Sequence, residues 1–184
     1  METREIAMSI HDAVLDVVEA ALQTALIDNV SDDTKAGVVQ QGHYQDDPEA
    51  QRIVVTLFEN DPDSIVDDGT SSMTGSWSDE PSYAECGGSL TWFRRFTVKF
   101  RALLTTTQEE KDAARLIAST LRTRIEHTLL DIDFSSVVAD GEFVSKSIFS
   151  EVLRGEMIQA GGPQAFDYHG KVRFQVETTK GVQP

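Results

Sequence analysis

A single cysteine, Cys86, stands in a chain of 184 residues. It cannot close an intrachain disulfide, so packing and hydrogen bonds must hold the fold, as expected of a protein made in a reducing compartment. Cys86 precedes Gly87-Gly88 in a polar stretch, which reads as a loop cysteine rather than a catalytic nucleophile. Long apolar runs are also missing. None approaches the roughly 18 residues needed to cross a bilayer, which argues against a membrane partner. Met1-Glu2-Thr3-Arg4-Glu5 lacks the basic-then-apolar build of a secretion signal, so the Asn29-Val30-Ser31 sequon is read as chance.

Positive charge is scarce in the first half. Residues 1–90 hold three basic side chains (Arg4, Lys35, Arg52) against nineteen acidic ones, a balance of −16; residues 91–184 hold thirteen against twelve, a balance of +1, and the two sum to −15. A chain this acidic repels phosphate and is a poor nucleic-acid binder. Such charge suits a DNA mimic, a passage through which DNA slides without sticking, or simple solubility.

Metal and cofactor motifs are lacking too. His11, His43, His127 and His169 fall on four different elements, none at ligand spacing from another histidine or cysteine, and each is expected at the surface. The acidic run from Asp61 to Gly69 fails as a calcium loop, because Ile65 and Val66 occupy the places of an oxygen ligand and the turn glycine. The stretch from Gly162 to Gly170-Lys171 is too long for a phosphate loop, and Val172 replaces its hydroxyl residue. No nucleophile elbow occurs around Gly69 to Trp77. The expectation is a non-enzyme without cofactor or metal.

What the chain does have is hydrophobic pattern. With 40% hydrophobic and 26% charged residues it has the makings of one domain, 1–184, with a sizeable core. Ser9, with Asp12 three residues on, opens an amphipathic helix of about five turns. Its apolar stripe is Ile10, Val14, Val17, Val18, Ala21, Leu22, Ala25 and Leu26, with His11, Asp12, Asp16, Glu19 and Gln23 opposite. Two strands follow, a weak one over 37–44 and a strong one over 52–58. From about 60 to 89 polar and acidic residues dominate, predicting a long loop or hairpin insertion in which Trp77 and Tyr83 stand as anchors for a partner.

A long strand is predicted over 90–104. Leu90, Trp92, Phe96, Val98, Phe100 and Ala102 take one face; Thr91, Phe93, Arg95, Thr97, Lys99 and Arg101 take the other. Arg94 interrupts the apolar face and Phe93 the polar one. Thr107-Gln108-Glu109-Glu110 reads as a capping box opening a helix to about 130, with Ala114, Ile117, Ala118, Leu121, Ile125 and Leu129 buried. Strand regions over 143–153 and 171–177 flank a Gly-rich bend over 155–164. Consecutive strands without intervening helices predict an α+β fold, a mainly antiparallel β-sheet covered by two α-helices.

This order of elements resembles the tail terminator (tail-completion, head-tail joining) proteins of long-tailed bacteriophages. The likeness spans nearly the whole chain: the amphipathic helix, the strand at 53–58, the acidic excursion, the basic strand Phe93-Arg94-Arg95-Phe96-Thr97-Val98-Lys99-Phe100, the capped helix at 107–130 and the closing strand at 172–177. The resemblance implies a structural virion protein of the tail and neck, a ring of about six copies that caps the head-proximal end of the tail tube. Its partners would be itself, the tube protein and a neck or connector protein, with DNA passing through the lumen unbound. The interface candidates are Trp77, Tyr83, Phe93, Arg94, Arg95, Lys99 and Arg101, and reversing Arg95 and Lys99 is expected to weaken the ring. Alternatives are another neck or head-tail connector ring protein, or an acidic DNA-mimic inhibitor.

Overall fold

The computed structural model describes residues 8–42, 53–59, 82–83, 90–105, 111–159 and 165–180. Ser9 caps the first helix as its sequence predicts: its Oγ accepts the Asp12 amide at 3.2 Å and donates to the Asp12 carboxylate at 2.7 Å. Helix α1 (Ile10–Gln23) then widens into a π-helical turn over Thr24–Asp28, closed by the Asn29 amide on the Thr24 carbonyl at 3.0 Å. Ile10, Val14, Val18, Leu22 and Leu26 are buried, so the 3.6-residue stripe runs through the π-turn. Leu15, outside the predicted stripe, is buried with them.

The chain doubles back after the turn. The Thr34 amide caps onto Asp32 Oδ1 at 2.8 Å, and the Ala36 amide reaches the Leu26 carbonyl at 2.9 Å. Strand β1 (Val38–Gln41) follows, within the predicted 37–44, whose last two residues lie outside the described ones. Gly42 bends the chain away at φ +76°, a left-handed value that a side chain would strain.

Strand β1 lies parallel to β2 (Ile53–Glu59); all the other strand pairs of the sheet are antiparallel. The remaining strands are β3 (Ser82–Tyr83), β4 (Leu90–Thr105), β5 (Val138–Ala139), β6 (Glu142–Gln159) and β7 (Ala165–Lys180), and helix α2 (Lys111–Asp131) joins β4 to β5. The sheet order is β1-β2-β4-β7-β6-β5, with β3 attached to β4. The fold is α+β with a mainly antiparallel sheet and two helices, the class the sequence predicts. Among the described residues no helix is long and apolar enough to cross a membrane.

Three elements depart from the sequence pattern. Strand β6 continues through Gly155 to Gln159, where a bend was expected, while 160–164 lie outside the described residues. Its register slips between Val144 and Lys146, Lys146 and Phe149, and Leu153 and Glu156, and each slip breaks the two-residue alternation. Strand β7 begins at Ala165, six residues before the predicted alternation. Strand β5 was not expected; Asp140 (φ 50°) and Gly141 (φ 71°) make the two-residue turn joining it to β6. The predicted capping box at Thr107 to Glu110, Cys86, the acidic run 61–69 and Trp77 lie outside the described residues.

Among the described residues the main core cluster draws on one face of the sheet. Val39, Ile53, Val55, Leu57, Phe96, Val98, Phe100, Ala102, Val172, Phe174 and Val176 share a single cluster with the buried faces of α1 and α2. The register explains this: Phe96 stands opposite Phe174 and Val98 opposite Val172, so these pairs emerge on the same side. The Phe96 and Phe174 rings stack with centroids 5.0 Å apart. Opposite Phe100 stands Gly170, where a β-carbon would intrude on the Phe100 ring, so glycine makes room for the aromatic group.

Candidate functional site

The other face of the sheet carries a different set of residues. Arg95, Thr97, Lys99 and Arg101 of β4 alternate with the core residues, and β7 sets Gln175, Arg173, Lys171 and His169 directly opposite them. Lys99 stands against Lys171, a like-charge pair that opposes pairing on its own. Strand β2 adds Val54, Thr56 and Phe58 beside Arg101, Lys99 and Thr97. Thr97 and Thr56 are buried beneath the long cationic side chains, which are themselves half-buried. Lys99 Nζ lies over the Phe58 ring, 5.5 Å from its centroid, a cation–π contact. On the far side β6 brings Glu151 level with Arg173 and Glu156 level with His169.

None of these residues belongs to the core cluster, and among the described residues no helix packs on this face. A chain of net charge −15 thus gathers Arg95, Lys99, Arg101, Lys171 and Arg173 on two adjacent central strands. The arrangement is suited to holding an anionic surface.

Of the residues singled out from sequence, the structure brings together Arg95, Lys99 and Arg101. Arg94 takes the opposite side. Its Nε and Nη2 donate to the Glu142 carboxylate at 3.0 to 3.2 Å, and Thr178 Oγ1 donates to the same carboxylate. With side-chain exposures of 19% and 10%, Arg94 and Glu142 form a pair at the rim of the core, so Arg94 does not share a surface with the other three. Phe93 pairs with Glu177 in the β4–β7 register. Tyr83 sits in β3 opposite Leu90, at the end of β4 remote from β2.

Lys171 and Arg173 were missed as site residues. Their signal lay in the alternation of 171–177, whose odd positions are polar, but only the β4–β7 register reveals which residues they stand beside. His11 is also placed differently from expectation. It is half-buried, with Nε2 3.1 Å from Glu59 Oε1 and its ring 6.1 Å from that of Phe96, because the start of α1 leans over the end of β2. His127 is exposed as expected.

A second surface feature is an open groove of about 400 Å³ along α2, lined by Ser119, Thr120, Thr123, Arg124, His127, Thr128 and Asp131. It has the residue types of a hydrolytic triad, but among the described residues no hydrogen bond joins His127 to Asp131 or to a hydroxyl. Arg124 is engaged at the groove's edge, with Nη1 2.6 Å from Thr34 Oγ1 and Nη2 3.5 Å from Asp32 Oδ2. Hydrogen bonds from the Thr34 hydroxyl and amide, then the Arg124 charge, hold the Asp32 carboxyl below its ordinary range. Among the described residues no three His, Cys, Asp or Glu side chains gather to hold a metal ion. In comparisons with known proteins, no family model and no curated sequence matches this chain.

Proposed function

We propose that this chain is a ring-forming structural subunit of a bacteriophage tail, a terminator that closes the head-proximal end of the tail tube and joins it to the neck. The observation that carries this reading is the cationic sheet face of Arg95, Lys99, Arg101, Lys171 and Arg173 in a chain of net charge −15. Subunits that close into a ring meet through two different patches, and opposite charge on those patches fixes both the partner and the register. The order of the described elements (helix α1, strands β1 to β4, helix α2, strands β5 to β7) supports this reading. On this view the acidic excess keeps the lumen negative, so DNA passes without binding. The tube protein and a neck protein are the axial partners, and the virion is the site of action.

Light scattering at low and high salt, with negative-stain imaging, tests the proposal. A ring of about six copies that loosens as salt screens its contacts supports it. A strict monomer at every concentration and salt removes self-assembly and favours an acidic inhibitor acting alone.

A further inference from the structure

The outer side of α2 carries apolar groups that the core does not use. The inner stripe of the helix, Ala118, Leu121, Ile125 and Leu129, is buried. Leu116, Ser119, Thr123, His127, Leu130 and Asp131 are exposed on the outer side. Leu116 is 68% exposed and Leu130 54%, two of the four exposed large apolar side chains among the described residues. A single exposed leucine needs no explanation, but the placing of these two does. Leu116 stands seven residues before Thr123 and Leu130 seven after it. Both therefore lie within about 20° of Thr123 around the helix and about 10 Å from it along the axis. Ser119 and His127 stand four residues to either side of the same centre. The exposed face has nearly the same layout from either end, the pattern of a surface that meets itself across a two-fold axis.

We infer that two copies of this chain pair through this face, with their α2 helices antiparallel and crossing at Thr123. That arrangement sets Leu116 of each copy against Leu130 of the other, and Ser119 level with His127, a hydroxyl beside an imidazole. The open groove of about 400 Å³ along Ser119 to Asp131 receives the opposing side chains. Leu116, Thr120, Thr123, His127 and Leu130 follow one another at spacings of four, three, four and three residues. Such a seam keeps two helices in contact at a shallow crossing angle. Parallel pairing is disfavoured, because it brings together the two Asp131 carboxylates and the two helix C-termini. One helix face is a small interface, so the pair is expected to form at high concentration and to separate on dilution. The contact stands apart from the ring reading; added to a ring, a two-fold contact sets two rings back to back.

Single cysteines placed on this face, in a chain carrying Cys86→Ser, test the contact. Thr123→Cys lies on the axis and is expected to form a disulfide with its own copy under mild oxidation. Leu116→Cys alone and Leu130→Cys alone are expected to stay unlinked, whereas an equal mixture of the two is expected to link. If Leu116→Cys links to itself as readily as Thr123→Cys, or if neither Thr123→Cys nor the mixture links, the inference falls. Sedimentation velocity supplies a second reading. The wild type is expected to double in mass as its concentration rises, and a chain with Leu116→Glu and Leu130→Glu is expected to keep a constant mass over the same range. Both leucines are exposed, so the melting temperature of that variant is expected to match the parent. A wild type of constant mass, or a variant that doubles as the wild type does, overturns the inference. Rings of constant mass without a link at Thr123 remove this contact and leave the ring reading standing. Pairs without rings remove the ring and leave this contact.

Discussion

Lys99 and Phe100 are neighbours in β4, and almost everything about their surroundings differs. Phe100 is buried under the helices, against Gly170 and near Tyr168, with ring centroids 5.8 Å apart. Lys99 faces the other way, beside Lys171 and over Phe58. One face of the sheet is organised by removal of apolar surface from water, and the other carries charged and polar side chains. The two sets alternate along a single strand: even-numbered positions from 96 to 102 join the core cluster, and odd ones from 95 to 101 lie outside it.

The most direct way to break this contrast is to truncate both neighbours. Phe100→Ala is expected to cost about 3–5 kcal/mol of folding stability, because it removes a buried ring and leaves a cavity. Lys99→Ala is expected to stay within about 0.5 kcal/mol in the same denaturant melts. A large loss at Lys99 would mean that the cationic face holds the fold as well.

The Arg94–Glu142 pair sharpens the comparison, since it places charge on the apolar side. Removing one partner, as in Glu142→Ala, strands a guanidinium at the core rim and is expected to cost about 2–3 kcal/mol, the low side of a buried pair because some exposure remains. Replacing both with leucine is expected to recover most of that loss, read by the same melts. Gly170→Ala comes next. Its methyl group would displace the Phe100 ring, for an expected loss of about 1–3 kcal/mol, and pairing it with Phe100→Leu is expected to relieve the clash.

The smallest effect concerns the tether between α2 and the turn after α1. The Asp32 carboxyl is held below its ordinary 3.8, first by hydrogen bonds from Thr34 and then by Arg124. Its folded value is depressed, so its contribution is complete above pH 3.8 and is lost as pH falls through the folded value. Asp32→Asn is expected to melt slightly below the parent at pH 7, and the gap should close in thermal scans taken below pH 3.8.

Local pattern was enough where the period was unbroken. Phe96, Val98, Phe100 and Ala102 alternate cleanly, and the stripe Ala118, Leu121, Ile125 and Leu129 repeats at helical spacing, so both buried faces were legible. Arg94 was legible only as an interruption, because its partner Glu142 lies 48 residues away beyond a helix. Asp140-Gly141, which sets Glu142 in place, is a strong hairpin signal, but the two-residue β5 before it is too short to show alternation. Strand β6 was cut short in the sequence because its register slips reset the pattern. The candidate site was half visible: Arg95, Lys99 and Arg101 stand out in one strand, whereas Lys171 and Arg173 join them only once β7 is placed alongside.

The full-length pairing of β4 with β7 also gives the domain a mechanical grain. Leu90 and Lys180 lie side by side at one end of the ladder, and Thr105 and Ala165 at the other. Force applied to the two strands at the same end opens the ladder like a zipper, one rung after another. Force applied at opposite ends loads all the rungs at once, as in a lap joint. The sheet is therefore soft to peeling and stiff to sliding, and a neighbour pressed flat on its cationic face would transmit thrust along the stiff direction.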